Sequence, residues 1–425
     1  MAFYVPGQGH RINHRWKWRG ESRRGGRAGV GMLTALMLMV PVAVSNSPAS
    51  ATLLAGSSSI LSKLSPSLRA LYTNITEPVV ASPYANFTPP KPPWKVCFED
   101  AYEGNVWRIS VRQQLQRLAT MFQKAGKVSS FTYSVSNDSP TLENSQLRTF
   151  VDKGCNLILL TAGSSTGDNA SIALAKQHGD VVVAFNNYVT SPDAQVVDQP
   201  WFQWGALEAQ KIATALHGKG TVIMLKGIAG ETVAVGENLG ANSVWKKYPG
   251  LTVIQAYGNW TPAPTTSAIL QVLATHPGKI DAVWTTGSEL WYVAKAFQQA
   301  HRPVPIITGS PEGDTLALDK SDPAIGRKMF GYATLPVPIA DYGFDTGIRI
   351  LSGQHPIISP ILFPLSYWSG NKLAGWYRSC MTQKTVPPFP VPPTQPLTNT
   401  QMNSYFTNGA VVAPYTYTGT LPKVC

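Results

Sequence analysis

The chain has 425 residues, of which 44% are hydrophobic and 14% are charged, with a formal net charge of +12. This composition excludes an intrinsically disordered chain, and the length suffices for two domains. Seven of the 35 basic residues but only one of the 23 acidic residues precede Ala51. The rest of the chain is therefore only mildly basic, and because no helix or stripe concentrates its basic residues, we predict no nucleic-acid partner.

The first 51 residues have the three parts of a secretory signal peptide. Arginine and lysine residues between 11 and 27 precede the apolar run AGVGMLTALMLMVPVAV (28–44), and small residues at 49–51 offer a cleavage site. We therefore predict that residues 1–51 direct export to the periplasm and are removed. The alternative is an uncleaved membrane anchor, which the short apolar run and Pro41 disfavour.

Residues 52–93 are rich in Ser, Pro, Thr and Ala and end in TPPKPP. We interpret them as a tether or a wrapping arm. From Trp94 onward, short apolar runs alternate with helix-like stretches. The runs are KVCFED (95–100), FTYSVSN (131–137), NLILLTA (156–162), VVVAFN (181–186), TVIMLKG (221–227), LTVIQAYG (251–258), AVWTT (282–286), PIITGS (305–310) and MFGYATL (329–335).

Continuous apolar strands separated by helices are typical of parallel sheets covered on both faces, so the predicted fold class is α/β, doubly wound. The pattern runs twice, which favours two lobes joined by a hinge over one large sheet. We assign 94–190 plus about 336–355 to lobe 1 and 191–335, with the hinge crossings, to lobe 2. Residues 356–425 then form a C-terminal return segment and a Pro-rich tail.

The four cysteines are Cys97, Cys155, Cys380 and Cys425, and they allow three pairings. We predict a Cys380–Cys425 disulfide, because both residues lie in the irregular C-terminal region. Cys97 and Cys155 lie in or beside apolar strands, and we expect them to be buried free thiols. The sequence has no CxxC or HExxH motif and its histidines are scattered, so we predict no metal site and no cofactor.

Four segments resemble motifs of the sugar-type (type I) periplasmic binding proteins of ABC importers, the family of ribose-binding proteins and of the lactose-repressor ligand domain. Asn105-Val106-Trp107 is similar to an Asn-Pro-aromatic motif, and VDKGCNLILL (151–160) resembles the third strand. IDAVWTTGSELWYVAKAF (280–297) resembles a later strand-turn-helix unit, and TLPVPIADYGFDTGIRILSG (334–353) the last hinge segment. The resemblance covers roughly 94–355, and no repressor-type helix-turn-helix precedes it.

The resemblance implies a function as well as a fold. Two lobes would close on a small ligand at the carboxyl ends of their strands, and an ABC transporter permease would read the closed form. It thus implies a monomeric, non-enzymatic periplasmic solute-binding protein. A sensor that presents its closed form to a receptor or kinase would have the same fold, so this alternative stays open.

The family's ligand-contacting positions fall on particular residues of this chain. Asn186 and Asn187 stand where the family has an Asp-Arg pair, and Glu237, or Asn238 after a local slip, stands where it has a pocket arginine. The complete predicted ligand-binding set is Asn105, Trp107, Asn186, Asn187, Glu237, Thr286, Ser288, Ser310 and Thr334. Glu312 is the alternative to Ser310. Since most charged positions are replaced, a sugar or sugar-like ligand rests on the resemblance alone.

Several of these residues also have purely structural interpretations. Asn105 is a possible helix cap, Trp107 a core residue, and the Asn186-Asn187 pair an Asx turn into the hinge. An acidic group in the first loop, Glu99, Asp100, Tyr102 and Glu103, is suited to attracting a cationic or polyhydroxyl ligand, with solvated loop charge as the alternative.

A competing enzyme hypothesis rests on Gly163-Ser164-Ser165-Thr166-Gly167. This G-x-S-x-G segment follows a strand and precedes a helix, as a hydrolase nucleophile elbow does. Ser165 would be the nucleophile, with Asp314 as the acid and His355 as the base. This motif is short, and it also occurs by chance in loops rich in glycine and serine.

Overall fold

The computed structural model describes residues 59–333, 336–382 and 397–407. The predicted signal peptide, Thr334 and Cys425 therefore lie outside the described residues. Within the described ranges, no helix combines the length and the apolar character that crossing a membrane requires.

The first sheet contains the first four predicted strands and two more. Its members are β1 (Trp94–Asp100), β2 (Val128–Val135), β3 (Leu157–Thr161), β4 (Val181–Phe185), β5 (Gln195–Asp198) and β12 (Ile361–Leu362). They lie in the order β2-β1-β3-β4-β5-β12 and all pair in parallel. Every residue of β3 and β4 is buried, as expected for apolar strands covered by helices on both faces.

The second sheet repeats this arrangement. Its strands are β6 (Gly220–Lys226), β7 (Leu251–Tyr257), β8 (Ala282–Trp284), β9 (Ile306–Thr308), β10 (Met329–Ala333) and β13 (Ser366–Ser369). Their order is β7-β6-β8-β9-β10-β13, and only β13 runs antiparallel to its neighbour. Two sheets with the same 2-1-3-4-5 core confirm the doubly wound prediction and rule out one large sheet.

Helices cover both sheets, and each sheet with its helices is called here the first or the second lobe. The helices are α1 (Pro66–Ala70), α2 (Val106–Lys124), α3 (Pro140–Asp152), α4 (Asn169–Gln177), α5 (Trp201–Ala215), α6 (Thr232–Trp245), α7 (Pro262–Thr275), α8 (Leu290–Gln299), α9 (Gly313–Ser321), α10 (Pro323–Gly326), α11 (Pro336–Leu351), α12 (Leu373–Trp376) and α13 (Asn399–Asn403). A small separate sheet pairs β11 (His355–Pro356) with β14 (Phe406–Thr407). Helix α11 packs on α2 and β4, so the chain returns to the first lobe after β10.

Two assignments along the chain differ from prediction. Strand β5, which we placed in lobe 2, pairs with β4 in the first sheet, so the chain crosses to the second lobe at 199–200. Strands β12 and β13, which we placed in a return segment without strands, extend one sheet each. All three strands are only two to four residues long. They form strands because they pair with sheet strands distant in sequence, and their own residues show no strand pattern long enough to predict.

The segment 59–93 is a wrapping arm rather than a free tether. Leu64, Leu68, Leu71, Tyr72 and Tyr84 are buried in the hydrophobic core of the first lobe. The arm is also held by polar contacts, since Tyr72 donates to the Pro360 carbonyl at 2.8 Å. Its apolar residues are spaced too irregularly to show a helical or strand period, which is why the sequence left both interpretations open.

The disulfide prediction needs correction. Cys97 and Cys155 are joined to each other, with a Cα–Cα distance of 6.0 Å, and are not free thiols. Cys97 lies on β1 and pairs with Ile158 of the adjacent β3, so Cys155, just before β3, comes within reach. Cys380 is also disulfide-bonded. Because Cys425 lies outside the described residues, the Cys380–Cys425 bond stays a prediction.

Candidate functional site

A cavity of about 170 Å³ lies where the loops at the carboxyl ends of both sheets face each other. These loops follow β1 and β4 in the first lobe and β7, β8 and β9 in the second. The lining residues are Gly104, Asn105, Val106, Trp107, Arg108, Asn186, Trp201, Val233, Glu237, Trp260, Thr261, Pro262, Thr286, Gly287, Ser288, Glu289, Tyr292, Ser310 and Glu312. In each sheet the strand order reverses beside its first strand, which is where open α/β sheets bind ligands.

The first-lobe wall is the start of α2. Asn105 has an extended backbone, and its side-chain oxygen accepts the Arg108 N–H at 2.9 Å, so it is a helix N-cap that also lines the cavity. Trp107 is half-buried against the first-lobe core and also lines the cavity. From the sequence, a structural role and a place in the cavity were alternatives for these two residues. Each of them has both.

Replacing Asn105 with alanine is expected to lower the free energy of unfolding by about 1 kcal/mol, because the cap of α2 is lost. Asn105→Asp retains an oxygen that can accept the same N–H and should be close to neutral. Urea denaturation of both variants measures the difference. Equal stability of Asn105→Ala and wild type would contradict a capping role.

The acidic loop is buried rather than solvated at its start. Glu99 and Asp100 are each 0% exposed. Arg108 donates to Asp100 at 2.9 Å, and Thr161 donates to the same carboxylate oxygen at 2.7 Å. The Arg108 guanidinium also lies 5.6 Å from the Trp107 ring centre. The Arg108 guanidinium is therefore engaged in contacts with Asp100 and Trp107. The loop does not expose Glu99 or Asp100 to a ligand.

The two asparagines after β4 have different positions. Asn186 lines the cavity and has a left-handed backbone with φ of 65°, a conformation that asparagine adopts more readily than most residues. Its amide donates to the Asn187 side-chain oxygen at 2.7 Å. Asn187 is 1% exposed and donates to Glu231 in the second lobe. Asn187 is not among the residues that line the cavity, and its side chain joins the two lobes, so its predicted ligand contact stays a prediction.

Three carboxyl groups form much of the second-lobe wall. Thr286 donates to Glu237 at 2.5 Å, and Thr265 donates to Glu289 at 3.1 Å. Burial raises the pKa of Glu237 well above its ordinary value, the pKa of Glu289 to about 7 and the pKa of Glu312 to about 8. At neutral pH these side chains can therefore carry protons, and each can donate as well as accept hydrogen bonds.

Three aromatic lining residues were missed from the sequence: Trp201, Trp260 and Tyr292. Trp260 follows β7 in a tight loop in which Asn259 and Trp260 have φ of 53° and 54°. A bulky residue in this region is strained, and such strain concentrates at functional sites. Trp260 could have been predicted from the sequence, because the turn-forming residues Gly258 and Asn259 place it in a loop directly after a strand. Trp201 and Tyr292 lie in helices, where an aromatic residue is equally typical of the core.

Seven of the nine predicted residues line the cavity. Asn187 is buried and is not among the lining residues, and Thr334 lies outside the described residues. Of the open pairs, Glu237 lines the cavity rather than Asn238, whereas both Ser310 and Glu312 do. Whether these side chains contact a ligand stays a prediction.

The proposed Ser-Asp-His set is spread over separate contacts. The Ser165 backbone carbonyl accepts from the Thr190 side chain at 3.0 Å in a first-lobe loop. Asp314 lies at the start of α9 in the second lobe and accepts from Thr315. His355 begins β11 and its Nδ1 lies 3.3 Å from the Tyr84 carbonyl. None of these contacts links two members of the set, so the geometry gives the hydrolase hypothesis no support.

Comparisons with known proteins agree with the observed lobes. A family model described as a periplasmic binding protein domain matches residues 101–319. The xylitol-binding protein of Mycolicibacterium smegmatis is 26% identical over 212 residues, which are 49% of this chain and 60% of that protein. The chain thus spans less than two thirds of the length of this curated relative.

Two solved structures share the fold at low sequence identity. An ABC transporter solute-binding protein from Thermobispora bispora DSM 43833 is 21% identical, with a TM-score of 0.62 over 69% of this chain and 89% of its own. The periplasmic binding protein component of the arabinose ABC transporter from Shewanella sp. ANA-3, bound to L-arabinofuranose, is 17% identical, with a TM-score of 0.59 over 66% and 93%. Since the family model covers more than half of the chain and the two doubly wound lobes match these structures, the chain belongs to the periplasmic binding protein domain family, with the type I fold.

Proposed function

We propose that this chain is an exported solute-binding protein that captures a small polyhydroxyl ligand, a sugar or a sugar alcohol, between its lobes and delivers it to the permease of an ABC importer. The observation that carries the proposal is a single cavity with walls from both lobes. The related xylitol-binding protein and the structural neighbour bound to L-arabinofuranose support this ligand class.

The chemistry of the cavity suits such a ligand. Trp107, Trp201 and Trp260 offer flat apolar faces, and the amides, hydroxyls and protonatable carboxyls offer both donors and acceptors. A cavity of about 170 Å³ is smaller than the ~300–1,000 Å³ typical of sites for drug-sized molecules. A monosaccharide-sized ligand is consistent with that volume.

The proposed mechanism is closure without covalent chemistry. A ligand that contacts Trp107 in one lobe and Trp260 in the other stabilises the closed arrangement by contacts that an open form loses. The Asn187–Glu231 contact also joins the lobes beside the cavity and would be lost when the lobes separate. The closed form would then be what a monomer presents to the permease.

A thermal-shift screen of the mature protein tests the ligand class. The panel contains pentoses, hexoses, sugar alcohols, amines and small aromatic compounds. A ligand at ~100 times its dissociation constant stabilises the folded state by about 2.7 kcal/mol, so a true ligand gives a clear rise in unfolding temperature. No shift with any sugar or sugar alcohol, for a protein shown to be folded, would contradict the proposed class.

Replacing Trp260 with alanine is expected to weaken the tightest ligand of that panel by about 2 kcal/mol, roughly 30-fold, because a central aromatic contact is lost. Trp376→Ala is the matched control, since Trp376 packs on the second-lobe core and lies outside the cavity lining. Isothermal titration calorimetry measures both dissociation constants. An unchanged dissociation constant for Trp260→Ala would remove Trp260 from the proposed site.

A further inference from the structure

The wrapping arm, residues 59–93, contacts both lobes, although most of its buried surface lies on the first. On the first lobe, Val80 pairs with Ser359 through two backbone hydrogen bonds of 2.9 Å. Tyr84 accepts the Val182 N–H of β4 at 2.7 Å, and Ser82 donates to Gln195 of β5 at 2.7 Å. These contacts fix the arm to the sheet and make it a rigid extension of the first lobe.

The second-lobe contact is made by one side chain of α5. The Gln203 amide nitrogen lies 3.0 Å from the Ala70 and Leu71 carbonyls and 2.9 Å from the Thr73 carbonyl. These carbonyls lie at the end of α1 and in the turn that follows it, where a helix leaves acceptors without intrahelical partners; the Ala70 carbonyl also accepts the Thr73 N–H at 3.3 Å. The side-chain amide of Gln203, in the second lobe, therefore supplies a hydrogen-bond donor to backbone carbonyls of the arm.

The arm also passes close to α6. A Cβ at Gly236 of α6 would lie 3.7 Å from the Thr76 hydroxyl and 2.8 Å from the Trp201 Cβ. The arm thus contacts α5 and lies beside α6, the helices that contribute Trp201 and Glu237 to the cavity. When these two helices move relative to the arm, the part of the cavity wall that they form moves with them.

We propose that residues 66–76 are a strap that holds the second lobe in the closed arrangement, with Gln203 as its anchor. Gln203 lies three residues after the crossing at 199–200, so opening the cleft rotates the first turn of α5 against the arm, and the Gln203 amide then has to leave its carbonyls. The strap therefore shifts the equilibrium toward closure before any ligand binds. A weakened strap lowers the population of the closed form and raises the apparent dissociation constant in proportion.

The inference is tested by distances between spin labels at Thr120 in α2 and Gln271 in α7, both exposed and one on each lobe. Double electron–electron resonance is recorded without ligand, so the outcome does not depend on the proposed function. Gln203→Ala is expected to broaden the distance distribution and add longer distances. Gln203→Glu, which places a carboxylate against the carbonyls, should have a larger effect, and Gln203→Lys, which keeps a donor, a smaller one.

Gln210→Ala is the matched control. Gln210 lies on the same helix, but its amide donates to Tyr248 at 2.6 Å within the second lobe. Its distance distribution should equal that of wild type. If Gln203→Ala and Gln203→Glu also equal wild type while circular dichroism shows them folded, the strap does not exist. If instead they unfold, Gln203→Met, which keeps the length of the side chain without its donor, is measured in their place: added longer distances support the strap, and a wild-type distribution overturns it.

Discussion

Replacing both Cys97 and Cys155 with alanine is expected to lower the free energy of unfolding by about 4 kcal/mol, because the disulfide closes a loop of 58 residues in the unfolded chain. The bond joins the neighbouring strands β1 and β3 in the centre of the first sheet. The loss should therefore be seen as destabilisation of the first lobe, which contains Asn105 and Trp107.

Guanidinium denaturation followed by tryptophan fluorescence measures this loss. The double variant is preferable to reduction of the wild type, since a reductant also breaks the bond of Cys380. Cys97→Ala and Cys155→Ala single variants should be no more stable than the double variant. A difference of less than about 1 kcal/mol between the double variant and wild type would contradict the expectation.

Replacing Glu99 with glutamine is expected to stabilise the protein at pH 8 by about 2 kcal/mol. Glu99 is 0% exposed, and burial, with additional repulsion from the carboxylates of Glu143 and Asp100, raises its pKa to about 9. Burial likewise raises the pKa of Glu143 to about 8 and that of Asp168 to about 6. The three side chains form a buried acidic cluster beneath the loop after β3.

The direction of the pH dependence follows from these values. In the unfolded chain the carboxyls lose their protons near pH 4, whereas in the folded chain Glu99 keeps its proton to about pH 9. Between these limits the unfolded state binds fewer protons, so the contribution of Glu99 to stability is fully present below about pH 4 and is lost as the pH rises toward 9. Glu99→Gln removes part of this fall and should make little difference at pH 4.

Urea denaturation at pH 5, 7 and 8 measures the dependence. Glu103→Gln is the control from the same loop, because Glu103 is partly exposed and bonded to Arg112. It should give no stabilisation as the pH rises. If Glu99→Gln is destabilised equally at every pH, the carboxyl is a fixed hydrogen-bonding group rather than a buried acid that disfavours the charged form.

Most of the fold was predictable, because long buried strands and amphipathic helices have local signatures. The run VVVAFN indicated a strand by itself, and β4 (Val181–Phe185) is buried throughout. Strands β5, β12 and β13 were not predictable, because they are short and exist only where a sheet edge supplies their hydrogen bonds. Cys97 and Cys155 were misassigned for the same reason: adjacency of β1 and β3 is a property of the sheet.

The candidate site was partly predictable through the resemblance to a family. Asn105, Trp107 and Asn186 follow the carboxyl ends of β1 and β4. In a parallel sheet these ends lie at the same edge, so residues that follow them are expected at one site. Trp201 and Tyr292 lie on helices, and the sequence shows no difference between a core tryptophan and one at a cleft. Asn187 differs from Asn186 by one position, yet one side chain lines the cavity and the other bonds to the opposite lobe.

The two-lobed α/β fold follows from the amino-acid pattern, because the apolar side chains of each strand and helix indicate which of its faces are buried. The contacts between the lobes do not follow from that pattern: Asn187 bonds to Glu231, and Gln203 bonds to the end of α1. Such contacts join residues far apart in sequence, and their hydrogen bonds depend on distances set by the packing of two whole lobes. Local pattern contains no information on those distances.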